Sequence, residues 1–125
     1  MSEVKSHGKT ISEKILSVKS GQDAQAGDTV VCRADGLVGT DGSIPMAIDY
    51  FEKMGGSRVV DPEHIVFALD HYAPAPTPQA AALQDQIRDF ARLHGITVNE
   101  VGDGISHQLV VESGRAKPGT LFIGA

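Results

Sequence analysis

Ile65-Val66-Phe67-Ala68-Leu69 is an unbroken apolar run closed abruptly by Asp70-His71. A strand with one face in water alternates apolar and polar residues, so a continuous run predicts a strand covered on both faces, as in a sheet flanked by helices. The neighbouring segments agree. Thr10 and Glu13 have capping-box spacing, and Ile11, Ile15, Leu16 and Val18 recur at near-helical intervals up to Gly21, which predicts a short lid or docking helix. Ser43 as cap and Pro45 in the first turn open a second helix carrying Met46, Ala47, Ile48, Tyr50 and Phe51, with Gly55-Gly56 as its stop. Thr77-Pro78 open the longest helix, with Leu83, Ile87, Phe90, Ala91 and His94 on one face and Gly95 as its end. Residues 29–34, 96–101 and 121–123 read as further strands, and 35–42 as a glycine-bearing loop. Strands alternating with helices predict an α/β fold with a mainly parallel sheet, residues 1–125 forming a single segment.

With 125 residues, 41% of them hydrophobic, the chain can bury one modest core. Its final apolar strand, Leu121-Phe122-Ile123-Gly124-Ala125, has no cap or polar tail beyond it, which predicts an incomplete unit. The net charge is −5 and the basic residues are scattered, so no electrostatic footprint for nucleic acid or an anionic membrane is present. Residues 1–9 are polar and lack a secretory apolar stretch, and no run of about 20 apolar residues is available to span a bilayer. Cys32 is the only cysteine, which rules out an internal disulfide and any thiolate metal site completed within the chain. A cytoplasmic location is the expectation.

Asp70 and His71 fall where the buried strand ends, the side of an α/β sheet on which ligands bind. A carboxylate next to an imidazole can orient the ring and favour its protonated form, which makes His71 a candidate proton donor. Neighbours on a strand point to opposite faces, so only a turn after Leu69 brings both into one cleft; the same pair also suits a turn cap and a surface hydrogen bond. His107 lies in the loop Gly102-Asp103-Gly104-Ile105-Ser106-His107-Gln108, whose glycines permit close approach to a small polar ligand or simply form a turn. Gly39-Thr40-Asp41-Gly42-Ser43 offers hydroxyls and N–H groups at a helix start, suited to a substrate carboxylate or to capping alone. Neither the dinucleotide glycine fingerprint nor a lysine-bearing phosphate loop is present. His7, His64 and His94 read as structural, Cys32 as a small core residue in a strand, and no local histidine spacing suggests zinc.

Several stretches together resemble the amino-terminal part of the aconitase superfamily, and within it the large subunit of 3-isopropylmalate dehydratase. They are Thr10-Ile11-Ser12-Glu13-Lys14-Ile15-Leu16, Ala26-Gly27-Asp28, Thr40-Asp41-Gly42-Ser43-Ile44-Pro45-Met46-Ala47-Ile48, Asp70-His71-Tyr72-Ala73-Pro74-Ala75-Pro76-Thr77, Gly104-Ile105-Ser106-His107-Gln108 and Lys117-Pro118-Gly119. The resemblance implies reversible dehydration and rehydration of a hydroxy dicarboxylic acid at a [4Fe-4S] cluster acting as Lewis acid, its ligands outside this chain. It implies catalytic roles for Asp70, His71 and His107, and a substrate-binding group of Thr40, Asp41, Ser43 and Gln108, with no metal ligand in this chain. The implied partners are the rest of the large subunit, where an Asp-Ser-His-Thr motif and the cluster cysteines would follow, and a small subunit. Thr40 stands where aconitases have glutamine, which favours the isopropylmalate side of the family, with homoaconitase, aconitase or another malate-type dehydratase as the alternative; Ser106 stands where many isopropylmalate dehydratases have cysteine. From a different class, a catalytically silent binding or assembly module would keep the same fold without the cluster.

Overall fold

The computed structural model describes residues 8–124; His7 and Ala125 lie outside them. Four helices and four strands follow in the order α1 (Ile11–Ser20), β1 (Gly36–Thr40), α2 (Ile44–Lys53), β2 (Ile65–Ala68), α3 (Pro78–His94), β3 (Thr97–Asn99), α4 (Ser106–Glu112) and β4 (Phe122–Gly124), with one 3-10 turn, Pro62–His64, leading into β2. The strands form one parallel sheet in the order β3-β2-β1-β4. The chain starts in the middle of the sheet, moves outward through β2 to β3, and returns to the far side of β1. With right-handed crossovers, that reversal puts α2 and α3 on one face and α4 on the other.

The apolar run behaves as its composition requires. Every residue of β2 is buried, and Leu69 beyond it is 1% exposed. Ile65, Phe67 and Leu69 join Ile48 of α2, Ile87 and Ala91 of α3, and Ile96 in the main core. Val66 and Ala68 alternate to the opposite face, where α4 contacts β1 and β2 and Val110 is buried. The helix boundaries follow their caps. Thr10 and Glu13 form the full capping box on α1, Thr77 accepts the Ala80 N–H at the start of α3, and Gly21 and Gly95 end their helices at φ 70° and 73°.

Four local expectations are corrected. Residues 29–34, expected as a strand, run as unpaired coil with Val31 88% exposed, and β1 lies instead at Gly36–Thr40, within the segment read as a loop. Glycine there serves packing rather than turning: a Cβ on Gly36 would sit 2.4 Å from the Phe122 ring, and one on Gly39 would sit 1.9 Å from Ile44 Cδ1. Ser43 makes no side-chain cap on α2; its hydroxyl accepts the Thr40 N–H at 3.2 Å. Leu83 is 40% exposed, and Gln84, not Leu83, occupies the buried stripe of α3. The segment around His107 is the first turn of α4 rather than a loop. Helix α1 buries none of its residues, and His94 packs against the Phe90 and Phe51 rings at centroid distances of 4.3 and 5.7 Å.

Candidate active site

The carboxyl ends of β1 and β4 flank the point where the strand order reverses, the place at which a crevice forms in an open parallel sheet. Three segments end there. Thr40 ends β1 and Asp41 follows it, Asp70 and His71 come after β2, and Ser106 and His107 begin α4. Helix α4 lies close enough to β4 that His107 Nε2 would be 3.6 Å from a Cβ placed on Gly124.

Asp70 ties these segments together. Its Oδ1 meets His71 Nδ1 at 2.8 Å, and its Oδ2 accepts the Ser106 N–H at 2.7 Å. The Ser106 hydroxyl in turn lies 3.1 Å from His107 Nδ1. A hydrogen-bonded chain therefore runs His71–Asp70–Ser106–His107, across residues 36 positions apart. The turn after Leu69 has achieved what a straight strand forbids, placing the 70 and 71 side chains against each other. The Asp70 side chain is 10% exposed and the His71 side chain 50%, so the carboxylate is enclosed while the imidazole reaches solvent. Burial pushes the Asp70 carboxyl up, but the Ser106 N–H, the His71 ring and the Ser106 hydroxyl together hold it below the usual carboxylate value. A carboxylate acceptor of this kind favours the tautomer of His71 with its proton on Nδ1, so Nε2 takes no part in this bond.

Asp41 is 1% exposed, and its two oxygens accept N–H groups from His71 (3.0 Å), Tyr72 (3.1 Å) and Gln84 (2.9 Å). Thr40 is 2% exposed, its hydroxyl 3.5 Å from that of Ser43. Gln108 points along its own helix to Glu112 at 2.7 Å. Asp41, Asp70 and His71 each bring one ligand-type atom within 4.8 Å of the others. The Asp41 oxygens, however, already face N–H donors, which a cation would have to displace. The sequence motifs leave Gln84 out and give Ser106 no site role; the signal for Gln84 is a polar residue on the same stripe as Ile87 and Ala91. An apolar cavity of about 700 Å³, lined by residues including Leu37, Ile44, Met46, Tyr50 and Ile123, opens elsewhere, so cavity size does not mark these acid–base groups.

No family model matches the chain. Among curated proteins it is 44% identical over 119 residues to 3-isopropylmalate dehydratase large subunit 2 of Archaeoglobus fulgidus. It is 42% identical over 118 residues to the 3-isopropylmalate dehydratase large subunit of Methanoregula boonei. This chain is homologous to the amino-terminal part of 3-isopropylmalate dehydratase large subunits. The homoaconitase large subunit of Thermus thermophilus is also related, at 37% over 121 residues. Each of these matches takes in 94% of this chain, and the chain spans 28% of the length of the relative.

The dehydratase likeness brings the [4Fe-4S] cluster into question, and this chain's residues do not fit one. Cys32 is its only cysteine. The thiol is half-buried in the coil ahead of β1 and points to the Leu16 carbonyl at 3.7 Å, at the amino end of the strands rather than beside Asp70. No helix among the described residues is long and apolar enough to cross a membrane.

Proposed function

We propose that this chain is the acid–base portion of a larger cytoplasmic hydro-lyase that reversibly dehydrates a hydroxy dicarboxylic acid, with interconversion of 2- and 3-isopropylmalate as its reaction. The observation that carries the reading is the Asp70 carboxylate bonded at once to the His71 ring and to the first turn of α4, in a chain homologous to dehydratase large subunits. Hydroxide is a poor leaving group, so a positioned acid must supply a proton as the carbon–oxygen bond breaks. With Asp70 holding the Nδ1–H, a doubly protonated His71 gives that proton from Nε2 to the departing hydroxyl, which leaves as water, and in hydration the bare Nε2 takes the proton back from water; the base that removes the carbon-bound proton comes from the rest of the enzyme. His107, held by Ser106, borders the other side of the switch point, with Thr40, Ser43 and Gln108 as groups for the substrate carboxylates. Cluster ligands, the rest of the large subunit and a small subunit come from outside these 125 residues.

The test uses this chain joined to the remaining large-subunit polypeptide, loaded with its cluster and paired with the small subunit. His71→Ala should lower turnover of 3-isopropylmalate by about 10²-fold or more while cluster absorbance persists; unchanged turnover removes His71 from the reaction. The homoaconitase relative supports a second reading, homoaconitase activity, and a side-by-side assay of isopropylmalate and a homoaconitase substrate separates the two. Turnover of neither acid would favour a silent assembly module.

A further inference from the structure

The contacts of Asp41 point inward, not toward a ligand. This carboxylate is 1% exposed, and three N–H donors from three residues converge on it: Oδ1 accepts from the His71 main chain, and Oδ2 from the Tyr72 main chain and the Gln84 side chain. Gln84 is 4% exposed, and its Nε2 also donates to the Tyr72 carbonyl at 2.9 Å. The main chain at 71 and 72 is thereby gripped at two N–H groups and one carbonyl. Asp41 itself is fixed to the sheet, its own N–H bonding to the Ala68 carboxyl-end carbonyl at 3.2 Å. The links made by Asp41 join segments far apart in sequence, 30 positions to His71 and 43 to Gln84.

We propose that Asp41, seconded by Gln84, is a positioning residue for His71: it fixes the backbone that carries the imidazole, while Asp70 fixes the ring. The catalytic consequence rests on the hydro-lyase reading above; the mechanical one does not. With the main chain and Nδ1 both restrained, Nε2 has one direction in which to point, and a misplacement near 1 Å at a reacting atom costs about 10²-fold in rate. The carboxylate is specifically required. An amide at position 41 would offer one acceptor oxygen and one NH₂, so an N–H of His71 or Tyr72 would face another donor.

The experiment compares wild type, Asp41→Asn and Gln84→Met, the second variant keeping the volume while removing the amide. In the 125-residue chain, NMR should show the amides of His71 and Tyr72 losing at least about 10-fold in hydrogen-exchange protection. The His71 Nδ1–H signal should broaden or vanish although Asp70 is intact, while the His107 ring resonances stay in place. A His71 ring signal that persists in both variants overturns the proposal whatever the enzyme does. In the assembled enzyme, kcat should fall about 10- to 100-fold with KM changed by less than about threefold. A raised KM at constant kcat would instead make Asp41 a substrate contact, and wild-type kcat alongside a loosened His71 ring would overturn positioning. Absence of hydro-lyase turnover in wild type sinks the functional reading and leaves the ring signal to decide the clamp.

Discussion

Replacing Asp70 separates the two jobs its carboxylate performs. Asp70→Ala removes the acceptor of the Ser106 N–H, a 2.7 Å bond beside a residue that is 1% exposed, so water does not readily take its place. Hydrogen bonds to charged groups contribute about 1.5–3 kcal/mol. The His71 contact adds less than about 1 kcal/mol, because that ring is half in solvent and the pair is screened. The expected loss is therefore about 1.5–4 kcal/mol, a large part of the roughly 5–15 kcal/mol that a domain has. Asp70→Asn behaves differently. Its amide oxygen can keep the Ser106 N–H, which places the NH₂ toward His71 Nδ1 and forces the ring proton onto Nε2. Stability should fall by no more than about 1 kcal/mol, while the tautomer inverts. Urea denaturation measures the first effect and long-range ¹⁵N–¹H correlation of the imidazoles the second. If His71 in Asp70→Asn keeps its proton on Nδ1, the orienting role assigned to Asp70 is wrong.

Two further outcomes follow from the same contacts. Gly36→Ala should destabilise by about 1–3 kcal/mol or more through overpacking, since its Cβ would meet the Phe122 ring at 2.4 Å and the His64 carbonyl oxygen at 2.9 Å; Gly8→Ala, with nothing within 4 Å, is the near-neutral control in the same urea series. Because the Asp70 carboxyl is held low in the fold, the folded state binds fewer protons there than the unfolded chain. Its stabilisation is complete above the ordinary value of about 3.9 and is lost as pH falls through the lower folded-state value. Urea midpoints should accordingly drop more steeply with acid in wild type than in Asp70→Asn; parallel slopes would refute the assignment.

What the sequence could disclose depended on whether the physics was local. The run at 65–69 announced a strand buried on both faces, and the caps at Thr10 and Thr77 placed their helices to the residue. The first strand was misplaced because β-branched content favoured residues 29–34, whereas β1 is chosen by what its neighbours require: Gly36 and Gly39 leave room for Phe122 and Ile44, a long-range fact. Helix α4 escaped notice because Ser106-His107-Gln108 follows two glycines and makes no side-chain cap, its first-turn Ser106 N–H being satisfied by Asp70 from another element. Asp70, His71 and His107 were legible as residue types after a strand and a glycine turn. That Ser106 joins them, and that Asp41 turns inward to the chain at 71 and 72, depends on contacts across 30 or more positions that no spacing encodes.

The most direct test of the account is a crystal structure of the assembled enzyme with its hydroxy diacid bound. The account predicts the substrate hydroxyl oxygen within about 3.2 Å of His71 Nε2, with the His107 ring bordering the same ligand and Asp70 still bonded to both His71 and the Ser106 N–H. A substrate seated out of reach of both imidazoles would contradict it.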